Sequence, residues 1–217
     1  PETLPSNRRQ SLSLQSLVRS YRAILSHKKA MGLNLCAAFS YGCLFAFISG
    51  SPYLYIEYFG VDPENYGYLF GCNILMVMLV SFLNSRLVIR FGAQTLLFAG
   101  ALVQLVFVLY LLLVSWFKIG GLMGTVIPII PCIGMIGMIS ANTTASALAY
   151  FPGASGTAAG VLGICRFGAA GLASAAVGIM HDGSNRVMPV IMCICILISF
   201  LSLTGIAKVR SFAPERE

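Results

Sequence analysis

IGGLMGTVIPIIPCIGMIGMISANTTASALAYFPGASGTAAGVLGIC, residues 119–165, runs from Lys118 to Arg166 without one Asp, Glu, Lys or Arg. At ~1.5 Å per residue, a single helix over that run would be about twice as long as a bilayer is thick. The run must turn back on itself, and Phe151-Pro152-Gly153 with Ser155-Gly156 supplies the turn chemistry. Two membrane-crossing helices, 121–146 and 157–180, result. Working outward, further apolar stretches at 30–51, 66–84, 95–117 and 188–207 each approach the ~20 residues that cross a hydrocarbon core. The chain therefore reads as an all-α integral membrane protein with six transmembrane helices over 30–207. Composition agrees: 58% of the 217 residues are hydrophobic and 10% charged, against about 45–50% and about 25% in soluble domains. An ordinary globular enzyme and a disordered chain are both excluded.

The net charge of +7 invites a nucleic-acid reading, so the placement of the positive residues decides the matter. Arg8, Arg9, Arg19, Arg22, Lys28 and Lys29 precede the first span. Six spans put both ends of the chain on one side. If that side is the cytoplasm, it also holds Arg86, Arg90, Lys208, Arg210 and Arg216, against Lys118 and Arg186 opposite. This is the positive-inside pattern, so both termini are expected in the cytoplasm and no nucleic-acid partner is expected. Residues 1–29 read as a cytoplasmic linker. In it Leu12, Leu14, Leu17, Val18, Tyr21 and Leu25 recur at helical spacing, as in an amphipathic helix lying on lipid. Residues 208–217 read as a cytoplasmic tail. The chain starts at Pro1 rather than Met, with neither the basic start nor the apolar run of a signal peptide. A fragment, a processed product or a partial reading is the expectation.

Metal and catalytic chemistry find little support. The seven cysteines (Cys36, Cys43, Cys72, Cys132, Cys165, Cys193 and Cys195) all fall in spans, and no CxxC or CxxH spacing occurs. They read as small apolar packing residues, and no metal or cofactor is expected. Gly153-Ala154-Ser155-Gly156 has the GxSG form of an intramembrane serine protease, with His181 as its conceivable base. The two lie at opposite ends of one span, about 39 Å apart, whereas a base must lie within about 3 Å of its nucleophile. The chain is not read as an enzyme.

Polar residues inside the spans carry the functional reading. A charge at mid-bilayer is costly, so an ionisable residue there is a functional candidate by default. Arg166 is the one such residue, flanked by Gly160, Gly163, Gly168, Ala169, Ala170 and Gly171, which leave room for a guanidinium. It serves either a polar cavity or a structural clamp onto backbone carbonyls. Tyr41, Asn73, Gln104, Asn142, Thr143 and Thr144 also lie at depth, as cavity groups or as interhelical hydrogen bonds. Tyr41 and Phe45, four apart, share a helix face and form either an aromatic wall or core packing. Pro128 and Pro131 interrupt the fourth span.

Several stretches together resemble the Bcr/CflA drug-resistance transporters of the major facilitator superfamily. They are Pro1-Glu2-Thr3-Leu4, Ser51-Pro52-Tyr53-Leu54-Tyr55-Ile56-Glu57 and Tyr66-Gly67-Tyr68-Leu69-Phe70. Next come Asn84-Ser85-Arg86-Leu87-Val88-Ile89-Arg90-Phe91-Gly92, Met138-Ile139-Ser140-Ala141-Asn142, Gly156-Thr157-Ala158-Ala159 and Arg166-Phe167-Gly168. Their order and spacing carry the match, which covers essentially the whole chain. The resemblance implies the second half of a twelve-helix transporter, its spans seven to twelve, with residues 6–29 as the central cytoplasmic loop. It further implies that Tyr41, Phe45, Asn73, Asn142 and Arg166 are substrate-cavity residues. Asn84, Arg86, Arg90 and Gly92 resemble the short cytoplasmic motif of the superfamily, with Ser85 where the usual motif carries an Asp.

The implied function is efflux of small amphipathic drug-like molecules in exchange for protons, by alternating access, across the bacterial inner membrane. Every Asp, Glu and His of the chain lies in a flank or loop, so the acid that couples transport to protons is expected in a missing N-terminal half. The alternative is a six-span membrane scaffold or channel subunit that assembles as an oligomer.

Overall fold

The computed structural model describes residues 14–209. Among them there are only helices and short turns, in the order α1 (Leu14–Ser26), α2 (Lys28–Pro52), α3 (Pro63–Phe91), α4 (Ala93–Phe117), α5 (Gly121–Leu148), α6 (Ser155–Ile179) and α7 (Val187–Leu201). α2 continues as a π-helical turn, Tyr53–Tyr58, and α7 as another, Ser202–Ile206. With these turns included, six helices are long and apolar enough to cross a membrane. The charge-free run turns between Leu148 and Ser155. The expected Pro1–Leu4 match and the basic residues Arg8, Arg9, Arg210 and Arg216 lie outside the described residues.

Local chemistry explains the boundaries. The His27 Nδ1 accepts the Ala30 N–H at 3.2 Å and so caps α2. Pro52 cannot offer an N–H to the preceding turn, yet the helix runs on by widening into the π turn, where the Phe59 N–H closes onto the Leu54 carbonyl. The chain beyond Ser51 is therefore helical to Tyr58, where sequence alone suggests a loop from 52 to 65. Asp62 then caps α3 through the Glu64 N–H, with Pro63 at the first helical position. Gly92, at φ +79°, makes the one-residue turn between α3 and α4, a conformation that side chains with a Cβ resist. In the α6–α7 turn the Ser184 hydroxyl and N–H hydrogen-bond the Asp182 carboxylate and hold its pKa below the usual aspartate range.

α2 is the hub of the bundle and packs on α6, α7 and α5, while α4 packs on α5 and α7, and α3 on α5. One core groups Phe47, Tyr55, Leu111, Ile129, Ile133 and Met192, all essentially inaccessible. Buried side-chain hydrogen bonds tie the helices. The Gln104 amide on α4 accepts from the Ser40 hydroxyl of α2 and donates to the Cys132 carbonyl of α5, both at 3.0 Å. The Ser199 hydroxyl on α7 donates to the Cys36 carbonyl at 2.7 Å. In lipid, where apolar burial between helices gains little, such bonds and close packing hold the bundle.

Cover by this chain is uneven. In their most apolar stretches, 61% of α2 and 56% of α5 residues are buried, but only 17% in α3 and 28% in α6. α3 and α6 are thus the two spans that this chain covers least. α1 lies against α6, with Ile24 beside Ala158 and Val161.

Candidate functional site

Arg166 sits about 16 Å along α6 from Ser155, at ~1.5 Å per residue, which is deep in the bilayer. Its terminal nitrogen donates to the Thr144 hydroxyl at 2.7 Å and to the Ser140 carbonyl at 3.5 Å, both on α5. Ser140 and Thr144 are four apart and so share one face of α5. The Thr144 hydroxyl in turn donates to the Ser140 carbonyl at 2.6 Å. The guanidinium is half-buried, and its Nε is buried without a hydrogen-bond partner. Its two acceptors are neutral, so its charge is solvated but not cancelled by them.

Aromatic rings stand beside it. Tyr41 on α2 has its ring centroid 5.6 Å from Phe45 and 6.0 Å, edge-on, from Phe167 on α6. The Tyr41 phenol lies within electrostatic reach of the guanidinium. Tyr41 also walls an open groove of about 680 Å³, completed by Val77 and Ser81 of α3 and by Gly137, Ser140 and Thr144 of α5. Gly137 is what lets α3 approach: a Cβ there would overlap the Ser81 hydroxyl and lie 2.9 Å from the Val77 carbonyl. The groove thus joins hydroxyls and an aromatic wall, with the half-buried Arg166 charge behind Ser140 and Thr144, a surface that suits amphipathic molecules with hydrogen-bond acceptors.

The five cavity residues expected from sequence separate into two groups. Tyr41 lines the groove, while Phe45 stands against the Tyr41 ring and Arg166 is bonded to the groove residues Ser140 and Thr144 without lining it. Asn142 does not line it: its Nδ2 donates to the Asn84 Oδ1 at 2.7 Å, with both side chains buried between α5 and α3. Asn73 is buried one turn from Val77, donates to the Leu69 carbonyl of its own helix at 2.9 Å, and keeps an unpartnered Oδ1. Sequence reasoning passed over Ser81, Phe167 and Ser140 as site residues. The available signal was spacing: Asn73, Val77 and Ser81 fall on one α3 stripe, and Ser140 precedes Thr144 by one turn.

The short motif at the α3 end has its own geometry. Arg86 and Arg90 are exposed, each guanidinium 5.4 Å from the ring of Phe82 or Phe91 respectively. Ser85, where the resemblance expects Asp, donates its hydroxyl to the Phe82 carbonyl at 2.7 Å. Ser155 opens α6 and His181 follows its end, so about 37 Å of helix, at ~1.5 Å per residue, holds the GxSG serine away from that base. Among the described residues no three His, Cys, Asp or Glu converge as metal ligands.

No protein-family model matches the chain. It is 32% identical over 202 residues to the bicyclomycin resistance protein homolog of Haemophilus influenzae, an alignment covering 93% of this chain and 50% of that protein. It is 29% identical over 209 residues to YdgK of Bacillus subtilis, an uncharacterized MFS-type transporter, covering 96% of this chain and 52% of that protein. The chain spans about half the length of both relatives. This similarity and the six-helix fold match the C-terminal half of a Bcr/CflA-type transporter of the major facilitator superfamily.

Proposed function

We propose that the chain forms the C-terminal half of a proton-coupled multidrug efflux transporter, a drug:proton antiporter working by alternating access. The observation that carries this reading is Arg166, held in mid-membrane by neutral partners beside a groove with an aromatic wall. Tyr41, Phe45 and Arg166 are the substrate-contacting candidates, with Asn73 poised along the α3 stripe. The little-covered α3 and α6 suit a second six-helix half, which would close the groove into a cavity. Residues 1–29 would then link the halves in the cytoplasm, 30–207 would form the membrane domain, and 208–217 a cytoplasmic tail. The location is the bacterial inner membrane.

Proton coupling needs a group that binds and releases a proton, and guanidinium does not. Glu57, Asp62, Glu64, Asp182, His27 and His181 lie at helix ends or in turns. The coupling carboxylate is therefore assigned to the partner half, where Arg166 would favour its ionised form. Reconstitution tests this. Liposomes with this chain alone, under an imposed pH gradient, should move no drug, whereas co-reconstitution with an N-terminal half should. Gradient-driven transport by this chain alone would refute the assignment.

A further inference from the structure

At the end of the bundle away from α1, the π turn of α2, the last turn of α6 and the α6–α7 turn enclose a cleft of about 300 Å³. That is the lower edge of the size range of small-molecule sites. Tyr53 and Glu57 enter it from the π turn, Gly178 from α6, and His181, Ser184 and Asn185 from the connection to α7. π-helical turns recur where a helix must present side chains to a ligand. This one brings a ring and a carboxylate to the same opening.

The wall is fixed rather than loose. The Tyr53 and His181 rings meet edge-to-face at 4.1 Å, and the Tyr53 hydroxyl donates to the Gly183 carbonyl at 2.6 Å. The Asn185 amide is anchored on the Ser115 carbonyl at 3.3 Å. Glu57 is the only Asp, Glu, Lys or Arg in the lining. The neighbouring cation, Arg186, is turned away: its guanidinium lies 4.7 Å over the Trp116 ring and donates to the Trp116 carbonyl.

A carboxylate beside aromatic rings, with no Lys or Arg in the wall, is the chemistry that recognises an organic cation. The ring quadrupole and the carboxylate both attract positive charge, while Leu54 and Val177 accept hydrocarbon. We propose that this cleft is a binding site for a small organic ammonium ion, separate from the groove beside Arg166, whose own charge disfavours such a ligand. The site stands on its own residues and does not depend on the function proposed above.

Benzyltrimethylammonium is the probe, titrated calorimetrically into the purified chain in nanodiscs of zwitterionic lipid. Fluorescence of Trp116, the only tryptophan, gives a second readout next to the Asn185 wall. Its neutral isostere, neopentylbenzene, is the competitor. Glu57 is exposed, so Glu57→Gln removes the charge without disturbing the core. A Cβ at Gly178, a lining residue, meets nothing within 4 Å, so Gly178→Phe has room for its first side-chain carbon and adds bulk at the cleft wall. Saturable binding is expected, with no competition from the neutral compound and a loss of at least about fivefold in affinity in each variant. No saturation by about 10 mM, equal binding of the neutral compound, or a smaller loss in either variant overturns the proposal.

Discussion

Asn142 donates to Asn84 over 2.7 Å, joining the last third of α5 to the start of the short motif at the end of α3. Both side chains are almost wholly buried, so neither has water as an alternative partner. Truncating one partner leaves the other amide unsatisfied, while truncating both removes the problem. Asn84→Ala and Asn142→Ala should each lower stability in detergent by about 0.6–2 kcal/mol. The double variant should lose less than the sum of the two, as read by thermal or denaturant unfolding. Strict additivity would mean that the two amides do not act on each other.

Arg166 should behave differently from the asparagine pair. In a transporter containing both halves, Arg166→Ala is expected to lower drug resistance at least about tenfold while the protein remains in the membrane. Arg166→Lys should recover only part, because an ammonium lacks the planar fork that reaches Thr144 and Ser140 together. Thr144→Val should cost less, since the Ser140 carbonyl remains as acceptor. Minimum inhibitory concentrations beside immunoblots measure this, and full resistance from Arg166→Ala at normal abundance would dismiss the role.

Orientation is open to chemical labelling. With the Lys and Arg bias as guide, Ser6 is expected on the cytoplasmic side and Asn65, just inside α3, on the outer side. An impermeant maleimide added to intact cells should label Asn65→Cys and spare Ser6→Cys. The reverse pattern would invert the molecule.

The six crossings were legible because, Arg166 apart, charge is absent from the apolar runs that form them. The continuation of α2 past Pro52 was not. Proline in a helix interior usually kinks or breaks it, and whether the helix recovers by widening into a π turn is a tertiary outcome. Arg166 was legible as the one ionisable group at depth. Its partners were not, because linear sequence does not fix which turn of α5 stands opposite α6. Asn142 shows the same limit in reverse. Depth and polarity left it open between cavity group and interhelical bond, and the family resemblance placed it in the cavity, but the face of α5 on which it lies decides what it touches, and that face meets Asn84.

The length of α2 has a consequence of its own. From Lys28 through the π turn to Tyr58 it counts 31 residues, and α3 counts 29. At ~1.5 Å per residue these are rods of about 46 and 43 Å, against a hydrocarbon core of ~30 Å. Such rods either lean or stand proud of the lipid, and the surplus carries Tyr53 and Tyr58 to headgroup depth, where amphipathic rings anchor. Bilayer thickness thereby becomes a mechanical input. Shorter acyl chains favour a steeper lean of α2 and swing its tyrosine-bearing end sideways over the membrane surface.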